Sequence, residues 1–322
     1  MEKKVLLFSD FGVDDFVAAI YAYFSEEIQI VGVVADYGNV SREDAIRNAG
    51  FLKELTGIKD IPVLGGAELP LTGEQPKYYP EVHGLEGLGP IIPQTKVDGV
   101  FENFDEIKNL INKYENELII VNVGRLSSLA TAFILYPSLM KKIKDFYIMG
   151  GAFKVPGNVT PMAEANFYGD PYAANIVINL SPKPVYIIPL DVTNSAIVTP
   201  VMINELHTYY QLTNDKVGLI IKPMVDYYFK FYQKTNPAIS GSPLHDLLTF
   251  WAVRDEAEIM YTEVPVCIAV TKDCTYGQSA ADFRKTNGKV NWKKHHVALK
   301  FNYSKFIQSF YKTMKYQNGK SS

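Results

Sequence analysis

Three aspartates, Asp10, Asp14 and Asp15, lie within six residues near the start of the chain. They directly follow the apolar run 5–8, which predicts a buried parallel strand, and Gly12 allows a sharp turn from that strand into a helix. Carboxylate oxygens crowded at the end of a strand are the ligands that a hard divalent cation prefers. The spacing therefore predicts a metal site, although acidic residues in the first turn of a helix are also favourable for structural reasons alone.

Two later segments carry side chains that suit a ligand site. His245 and Asp246 open an apolar helix pattern. Asp246 could cap that helix or bind a metal, and a histidine can hold or release a proton near neutral pH. The segment 149–171 follows a strand pattern and carries amide and carboxylate groups, which suit a ligand rich in hydroxyl groups or a hydrated loop closed on itself. These groups belong to Asn158, Glu164 and Asn166.

Strand and helix patterns alternate over the first two-thirds of the chain. This alternation predicts an α/β fold with a mainly parallel central sheet flanked by helices, with ligands bound beyond the carboxyl ends of the strands. The predicted strands are 5–9, 28–35, 118–123, 146–149 and 185–190. The predicted helices are 14–25, 41–56, 104–113, 126–135 and 170–178. The last third is more helical, with predicted helices at 217–232, 244–253 and 303–314 and strands at 264–270 and 297–301.

Composition narrows the classes of protein to consider. A net charge of −3 gives no electrostatic case for a nucleic-acid partner. Two cysteines are too few for a disulfide framework, and no apolar run approaches the roughly 20 residues of a membrane helix. The N-terminus leads directly into the first strand pattern, which leaves no room for a signal peptide. We therefore expect a cytoplasmic protein with a single domain over residues 1–322.

These motifs together resemble the nucleoside hydrolase family of the inosine–uridine-preferring type, in order and over nearly the whole chain. The matching segments are Asp10 to Asp15, Gly38-Asn39-Val40 with Asn48-Ala49, His83-Gly84 with Gly87-Leu88-Gly89, 124–130, 149–171 and His245-Asp246. The resemblance implies a Rossmann-like nucleoside hydrolase fold. It implies hydrolysis of ribonucleosides to ribose and free base in nucleoside salvage, with a small-molecule nucleoside as partner. It also implies a homodimer or homotetramer.

The same resemblance implies roles for individual residues, with a bound Ca²⁺ as cofactor because oxygen-only ligands favour calcium over zinc. The implied metal ligands are the carboxylates of Asp10, Asp15 and Asp246 and the main-chain oxygen of Val123. Asp10 would also take the proton of the attacking water. The implied contacts to the ribose ring hydroxyls are Asp14, Asn39 and Asn166. Asn158 and Glu164 would hold the 5′-hydroxyl, and His245 would help the base to leave, as an acid or as part of a relay.

Aromatic and histidine side chains could complete the base site. Tyr228 and Tyr232 are spaced i, i+4, so they share one face of a predicted helix. They would contact the base or serve as core or rim tyrosines. His83 lies in a Gly- and Pro-rich loop, 66–94, of a length typical of functional lids. It would belong to the active site or be merely exposed.

Some positions depart from the family pattern. Phe8, Ser9 and Phe11 stand where the family usually has Asp, Thr and Pro, and Asp36 precedes the Gly38-Asn39 motif where small or apolar residues are commoner. These changes bear on substrate preference more than on the reaction class. They also motivate a rival hypothesis, a non-catalytic or altered-specificity ribose or nucleoside binder. A metal-dependent phosphatase is a weaker rival because no basic residue that could hold a phosphate lies near Asp10. The sequence does not indicate which base is preferred.

Overall fold

The computed structural model describes residues 2–95, 99, 101–284 and 290–315. The strands are β1 (Lys3–Ser9), β2 (Ile28–Ala35), β3 (Val63–Gly65), β4 (Leu118–Asn122), β5 (Asp145–Met149), β6 (Tyr186–Ile188), β7 (Ile197–Val198), β8 (Ser242–Pro243), β9 (Ile259–Ile268), β10 (Ser279–Ala281) and β11 (Lys294–Phe301). The helices are α1 (Val13–Phe24), α2 (Arg42–Thr56), α3 (Pro80–His83), α4 (Ile107–Lys113), α5 (Ser127–Leu135), α6 (Pro137–Met140), α7 (Ala165–Gly169), α8 (Pro171–Leu180), α9 (Leu190–Thr193), α10 (Pro200–Thr213), α11 (Lys216–Leu219), α12 (Ile221–Thr235), α13 (His245–Arg254) and α14 (Tyr303–Met314).

A nine-stranded sheet organises the described residues, in the order β10-β9-β11-β6-β5-β4-β1-β2-β3. Neighbouring strands from β11 to β3 are parallel, and β9 and β10 add an antiparallel edge. Phe8 of β1 is in register with Val34 of β2 and Asn122 of β4. The segments that follow these three strands therefore emerge together at one edge of the sheet, where the acidic cluster lies. The predicted mainly parallel α/β sheet is confirmed.

Apolar side chains cover both faces of the sheet. Along β1, Val5 and Leu7 pack in a core cluster with α1 and α13, whereas Leu6 and Phe8 pack on the other face with α5 and α8. This alternation follows from the two-residue period of a strand. Helices on both faces leave the carboxyl edge as the open side of the sheet. No helix of the described residues combines the length and apolar character needed to cross a membrane.

Most predicted elements are confirmed, with differences at their ends. The predicted helix 104–113 begins as a 3₁₀ turn, Phe104–Glu106, and the predicted helix 217–232 is divided at Ile220 into α11 and α12. The predicted strand 264–270 instead begins earlier, as β9. The strand patterns missed β3 because it is only three residues long, and α10 was not placed although Thr199 caps it and Pro200 opens it.

Candidate active site

Three buried carboxylates converge at the carboxyl edge of the sheet. One oxygen from each of Asp14, Asp15 and Asp246 lies within 4.8 Å of the others. Asp14 and Asp15 stand in the first turn of α1 and Asp246 in the first turn of α13. Two helix N-termini, which carry partial positive charge, therefore lie beside this acidic cluster. The helices bring together residues that are far apart in the sequence.

The acidic cluster carries strong electrostatic repulsion. Burial, followed by the negative charges of Asp10 and Asp14, raises the pKa of Asp15 well above its usual value. Burial, followed by the charges of Asp14, Asp15 and Asp10, does the same to the pKa of Asp246. Crowded anions out of water need a compensating charge, and a divalent cation bound by oxygen atoms would supply it. The donor set thus fits a hard metal ion.

Ser9 and the first turn of α1 fix the Asp15 carboxylate. Ser9 Oγ donates to Asp15 Oδ1 at 2.7 Å, and the Gly12 amide donates to Asp15 Oδ2 at 3.0 Å. Ser9 Oγ also accepts the amide of Phe11 at 2.9 Å. Ser9 therefore supports a predicted metal ligand, a role the sequence analysis had not assigned to it.

Phe8 and Phe11, the departures from the family pattern, lie outside the cavity lining. Phe8 is fully buried in the core. Phe11 has φ of +50°, in the left-handed region that an aromatic residue rarely adopts. Its carbonyl accepts Asn48 Nδ2 at 3.1 Å, and its buried ring meets Phe16 edge-on. The backbone at Phe11 is thus held in a strained conformation next to the acidic cluster.

Asp10 lies under two close loops. Its Oδ2 accepts the amide of Asn39. A Cβ on Gly38 would come within 2.1 Å of that oxygen, and one on Gly124 within 3.3 Å of Oδ1. Only glycine allows the backbone after β2 to approach this closely. The negative charge of Asp10 also raises the pKa of the neighbouring Asp15 carboxyl. Its roles as metal ligand and base stay predictions.

A cavity of about 340 Å³ opens above the acidic cluster. The predicted site residues that line it are Asp14, Asn39, His83, Val123, Asn158, Glu164, Asn166, Tyr228, Tyr232, His245 and Asp246. Asp10 and Asp15 are 1% and 2% exposed, respectively, and adjoin residues of the lining. Asp10 accepts the amide of Asn39, and Asp15 lies within 4.8 Å of Asp14 and Asp246. The structure thus gathers all the predicted site residues at one place.

One wall of the cavity is rich in amide and carboxylate groups. Glu164 is 1% exposed and caps α7: its Oε1 accepts the amide of Asn166 at 2.8 Å, and its Oε2 accepts that of Gly151 at 2.9 Å. Burial raises the pKa of Glu164. Asn158 Oδ1 accepts the amide of Ala165 at 2.9 Å. These bonds fix the wall before a ligand arrives.

Asn166 and Arg125 connect this wall to Val123, whose main-chain oxygen is a predicted metal ligand. Asn166 Nδ2 donates to the main-chain oxygen of Val123 at 2.8 Å and to that of Met149 at 3.2 Å. Arg125, which the sequence analysis did not single out, reaches Asn166 Oδ1 and Asn39 Oδ1, each at 3.3 Å. The signal available in the sequence was a charged residue inside the otherwise small and apolar turn 123–130.

A second part of the site is a chain of hydrogen bonds between side chains. Tyr228 donates to Asp14 Oδ2 at 3.1 Å, and the hydroxyls of Tyr228 and Tyr232 lie 3.2 Å apart. Tyr232 Oη is 2.9 Å from His245 Nε2, and His245 Nδ1 is 2.8 Å from Thr193 Oγ1. The two tyrosines share the buried side of α12, as their spacing predicts.

The direction of these hydrogen bonds follows from the carboxylate at one end. Tyr228 donates its single hydroxyl proton to Asp14 Oδ2, so it must accept from Tyr232. Tyr232 then accepts from His245 Nε2–H. Burial lowers the pKa of His245, so the ring is neutral at rest and its Nδ1 accepts from the Thr193 hydroxyl. The hydrogen bonds thus run without a break from Asp14 to Thr193.

His83 is a buried part of the site and not an exposed loop residue. It is 3% exposed, and its Nδ1 accepts the amide of Val13 at 3.1 Å. A Cβ on Gly12 would come within 2.5 Å of that nitrogen. Burial lowers the pKa of His83, and the neutral ring must carry its proton on Nε2 because Nδ1 accepts.

The loop 66–94 is anchored over the cavity. The Tyr79 amide donates to the Asn39 carbonyl at 2.9 Å, just before α3 delivers His83. Further along, Arg47 pairs with the Glu86 carboxylate at 3.1 Å, and Asn48 Nδ2 donates to the Glu86 carbonyl at 2.8 Å. The loop therefore forms a fixed rim in this conformation.

Comparison with known proteins identifies the family. Residues 5–308 match the inosine-uridine preferring nucleoside hydrolases. The chain belongs to this family. The nucleoside hydrolase chain is 32% identical over 304 residues to uridine nucleosidase 1 of Arabidopsis thaliana, covering 90% of this chain and 85% of the relative. The protein is accordingly a ribonucleoside N-glycosidase.

Solved structures agree with the family assignment. A plant nucleoside hydrolase matches with a TM-score of 0.91 and 28% identity, over 98% of this chain and 100% of the other. A purine-preferring ribonucleoside hydrolase from Gardnerella vaginalis matches with a TM-score of 0.86 and 29% identity, over 97% and 98% of the two chains. This nucleoside hydrolase is thus similar to relatives named for both pyrimidine and purine substrates.

Proposed function

We propose that this nucleoside hydrolase cleaves the N-glycosidic bond of ribonucleosides to ribose and free base with Ca²⁺ at the acidic cluster. One observation carries the proposal. The same cavity is lined both by the carboxylates of Asp14 and Asp246 and by Tyr232 and His245, which share a hydrogen bond. The first suits a metal and an attacking water, and the second suits a leaving base.

The metal would be held by the carboxylates of Asp10, Asp15 and Asp246 and the main-chain oxygen of Val123. When bound, the ion would neutralise the crowded carboxylates and lower the pKa of the attacking water. Val123 retains an oxygen lone pair for this purpose, since a carbonyl has two and Asn166 uses one. Ser9 and Gly12 would keep Asp15 in place.

Asp10 would take the proton of the attacking water. The Asn39 amide holds one carboxylate oxygen of Asp10, which fixes the orientation of the group. As water adds to the anomeric carbon, the bond from that carbon to the base nitrogen breaks and its electron pair leaves with the base. The sugar passes through an oxocarbenium-like state, as in glycoside hydrolysis.

The polar wall would position the sugar. Asp14, Asn39 and Asn166 would bind the ring hydroxyls, and Asn158 and Glu164 the 5′-hydroxyl. Contacts that strengthen as positive charge develops on the sugar contribute to rate and not only to affinity. Tyr228 already holds Asp14, and hydrogen bonds to the backbone or to Arg125 hold the other four side chains. The reaction therefore requires little further ordering of these groups.

The base would leave after accepting a proton from Tyr232. His245 Nε2 would return a proton to Tyr232 Oη across their 2.9 Å contact. A histidine that enters this step protonated ends it neutral, with Nδ1–H donated to Thr193 Oγ1. Since burial lowers the pKa of His245, its protonated form is a strong acid present in small amount at neutral pH.

The decisive experiment is a substrate panel. Uridine, cytidine, inosine and guanosine are incubated with protein treated with a chelator and then supplied with Ca²⁺, and free base is measured by chromatography. We expect base release only with the metal, and none with Asp10→Asn. Calorimetry on the same nucleosides tests the rival binder, since binding without any base release from metal-replete protein would exclude hydrolysis.

A further inference from the structure

We infer that Arg125 is a positioning residue that fixes the side-chain amides of Asn39 and Asn166 and thereby makes the enzyme prefer ribose over deoxyribose sugars. This inference rests on the proposed function, because it concerns the site that would bind the ribose. It adds a residue to that site which lies behind the ligand-facing groups, and whose effect would be carried by the two amides that it holds.

The guanidinium of Arg125 joins segments that follow two different strands. Its Nη1 donates to the Ala165 carbonyl and, at 3.3 Å, to Asn166 Oδ1. Its Nη2 donates to Asn39 Oδ1, also at 3.3 Å. Asn39 follows β2 and Arg125 follows β4, while Asn166 is in α7. At 3% exposure, the side chain is a buried cross-link between three parts of the cavity wall.

A buried guanidinium decides which way each amide points. The side chain of an asparagine has an accepting end and a donating end, whereas arginine can only donate. Arg125 therefore holds both Oδ1 atoms toward itself and turns both Nδ2 groups away. For Asn166, this places Nδ2 on the oxygens of Val123 and Met149. Without the cation, either amide could rotate and present the wrong end to a sugar hydroxyl.

The chain makes room for Arg125 with a matching glycine. A Cβ on Gly169 would lie 2.2 Å from the Arg125 Nε and 2.3 Å from its Cδ. Gly169 has no left-handed backbone that would require glycine, so close approach of the arginine accounts for its small size. The buried Arg125 side chain therefore packs directly against the backbone of Gly169.

Lysine would not replace this arginine. A planar guanidinium donates in fixed directions to several oxygens at once, whereas an ammonium is a single flexible point of charge. The two asparagines require donors at separate nitrogens, Nη1 and Nη2. A lysine variant therefore keeps the charge but loses the simultaneous orientation of both amides, which separates an electrostatic role from a positioning role.

The experiment compares kcat/KM for a ribonucleoside with its 2′-deoxy and 3′-deoxy analogues, using the metal-replete enzyme. In Arg125→Met we expect the preference for the ribonucleoside to fall by about tenfold or more, the scale of one hydrogen bond to a charged group. Arg125→Lys should show most of this loss. Adding Asn39→Ala to Arg125→Met should cost far less than the sum of the two single effects, because both act on the same contact.

Gly169→Ala is the second variant, since it displaces the guanidinium without removing it. It should lower the same preference, while Arg284→Met, at an exposed arginine paired with Asp282, should leave the preference unchanged. Equal losses on all three substrates, or an unchanged preference in Arg125→Met, would overturn the inference while leaving hydrolysis intact.

Failure of the proposed function gives a different result. If the unmodified protein released no base from any ribonucleoside, calorimetry with D-ribose and 2-deoxy-D-ribose would test Arg125 directly. We would then expect the unmodified protein to prefer ribose and Arg125→Met to lose that preference. Equal binding of the two sugars by the unmodified protein would overturn the role of Arg125 as well.

Discussion

Tyr232 Oη lies 2.9 Å from His245 Nε2, so a phenol and an imidazole share a hydrogen bond at the edge of the cavity. Tyr232 comes from α12 and His245 from the start of α13, and the rings meet at a centroid distance of 6.2 Å. The contact continues to Thr193 on one side and to Tyr228 on the other. The proposed role of these residues in proton delivery rests on this geometry.

Replacing His245 with phenylalanine should affect substrates according to their leaving group. We expect kcat for uridine to fall by roughly 10²- to 10⁴-fold, the usual contribution of a general acid. A nitrophenyl β-D-riboside, whose leaving group departs as a stable anion, should change much less. Steady-state kinetics on the two substrates measures the difference, and equal losses on both would show that His245 does not act in proton transfer.

In the unmodified enzyme, kcat for uridine should fall as the pH rises, if protonated His245 acts as the acid. Burial lowers the pKa of His245 below 6.5, so its protonated fraction decreases as the pH rises through that lowered value. For uridine, kcat should therefore decline toward high pH earlier than for the nitrophenyl riboside. Profiles of kcat against pH for both substrates test this, and superimposable profiles would argue against the proton relay.

The sequence was informative where topology alone determines position. Parallel strands bring their carboxyl ends to one edge, so Asp10 and the residues after β4 and β5 could be expected to meet. Arg125 could not be found this way, because its bonds to Asn39 and Asn166 depend on side-chain rotamers and on the space left by Gly169. Local spacing carries no information about such packing.

Ser9 and His83 show the same limit at two other places. Ser9 supports Asp15 because the end of β1 places its hydroxyl next to the first turn of α1. The sequence shows only that Ser9 replaces the usual Thr, which does not reveal this contact. From the sequence, His83 could have been either an active-site residue or an exposed loop residue. In the structure it lies at the end of α3 and is buried against the Val13 amide. In both cases the missing information was the contact between a loop or strand end and the start of α1.

Removing the Ser9 hydroxyl should weaken metal binding. In Ser9→Ala, Asp15 Oδ1 loses its 2.7 Å hydrogen bond, and the loss of such a supporting contact typically costs 10–100-fold in metal affinity, about 1.4–2.7 kcal/mol. Calcium titration by calorimetry measures the change. Ser9→Thr keeps the hydroxyl and should restore most of the affinity. Equal affinities of Ser9→Ala and the unmodified protein would contradict the role of Ser9.

Metal removal should destabilise the protein in a pH-dependent way. The folded-state pKa values of Asp15 and Asp246 are raised by burial and mutual repulsion, above the value of about 3.9 expected when unfolded. Their contribution to stability is therefore fully present below that unfolded value and is lost as the pH rises through the raised values. Metal-free protein should melt at a lower temperature at pH 8 than at pH 5.

Calcium should reverse this loss, and most strongly at high pH. Protons compete with the ion for Asp15 and Asp246, so its stabilisation should be larger at pH 8 than at pH 5. At free Ca²⁺ of about 1,000 times Kd the expected gain is about 4 kcal/mol. Differential scanning calorimetry at both pH values, with magnesium as a comparison, provides the test. If calcium did not raise the melting temperature at pH 8, a calcium site at Asp15 and Asp246 would be excluded.

Replacing Asp36 with asparagine should stabilise the protein at alkaline pH. Asp36 Oδ1 accepts the Ala67 amide at 2.7 Å and the Ser128 hydroxyl, while its Oδ2 has no hydrogen-bond partner among the described residues. Burial raises the pKa of Asp36 to about 8. Its folded value thus exceeds its unfolded value of about 3.9, so stability from this group is present below pH 4 and is lost progressively up to and beyond pH 8.

Asparagine keeps the accepting oxygen and never ionises, so Asp36→Asn should flatten the decline in melting temperature between pH 6 and pH 9. The measurement is thermal unfolding of both proteins across this range with calcium saturating, so that the acidic cluster is held constant. Asp282→Asn is the matched control, because hydrogen bonds from Arg284 lower the pKa of Asp282 to about 2 and leave it ionised throughout. Parallel curves for Asp36→Asn and the unmodified protein would mean that Asp36 does not ionise in the folded state over this range.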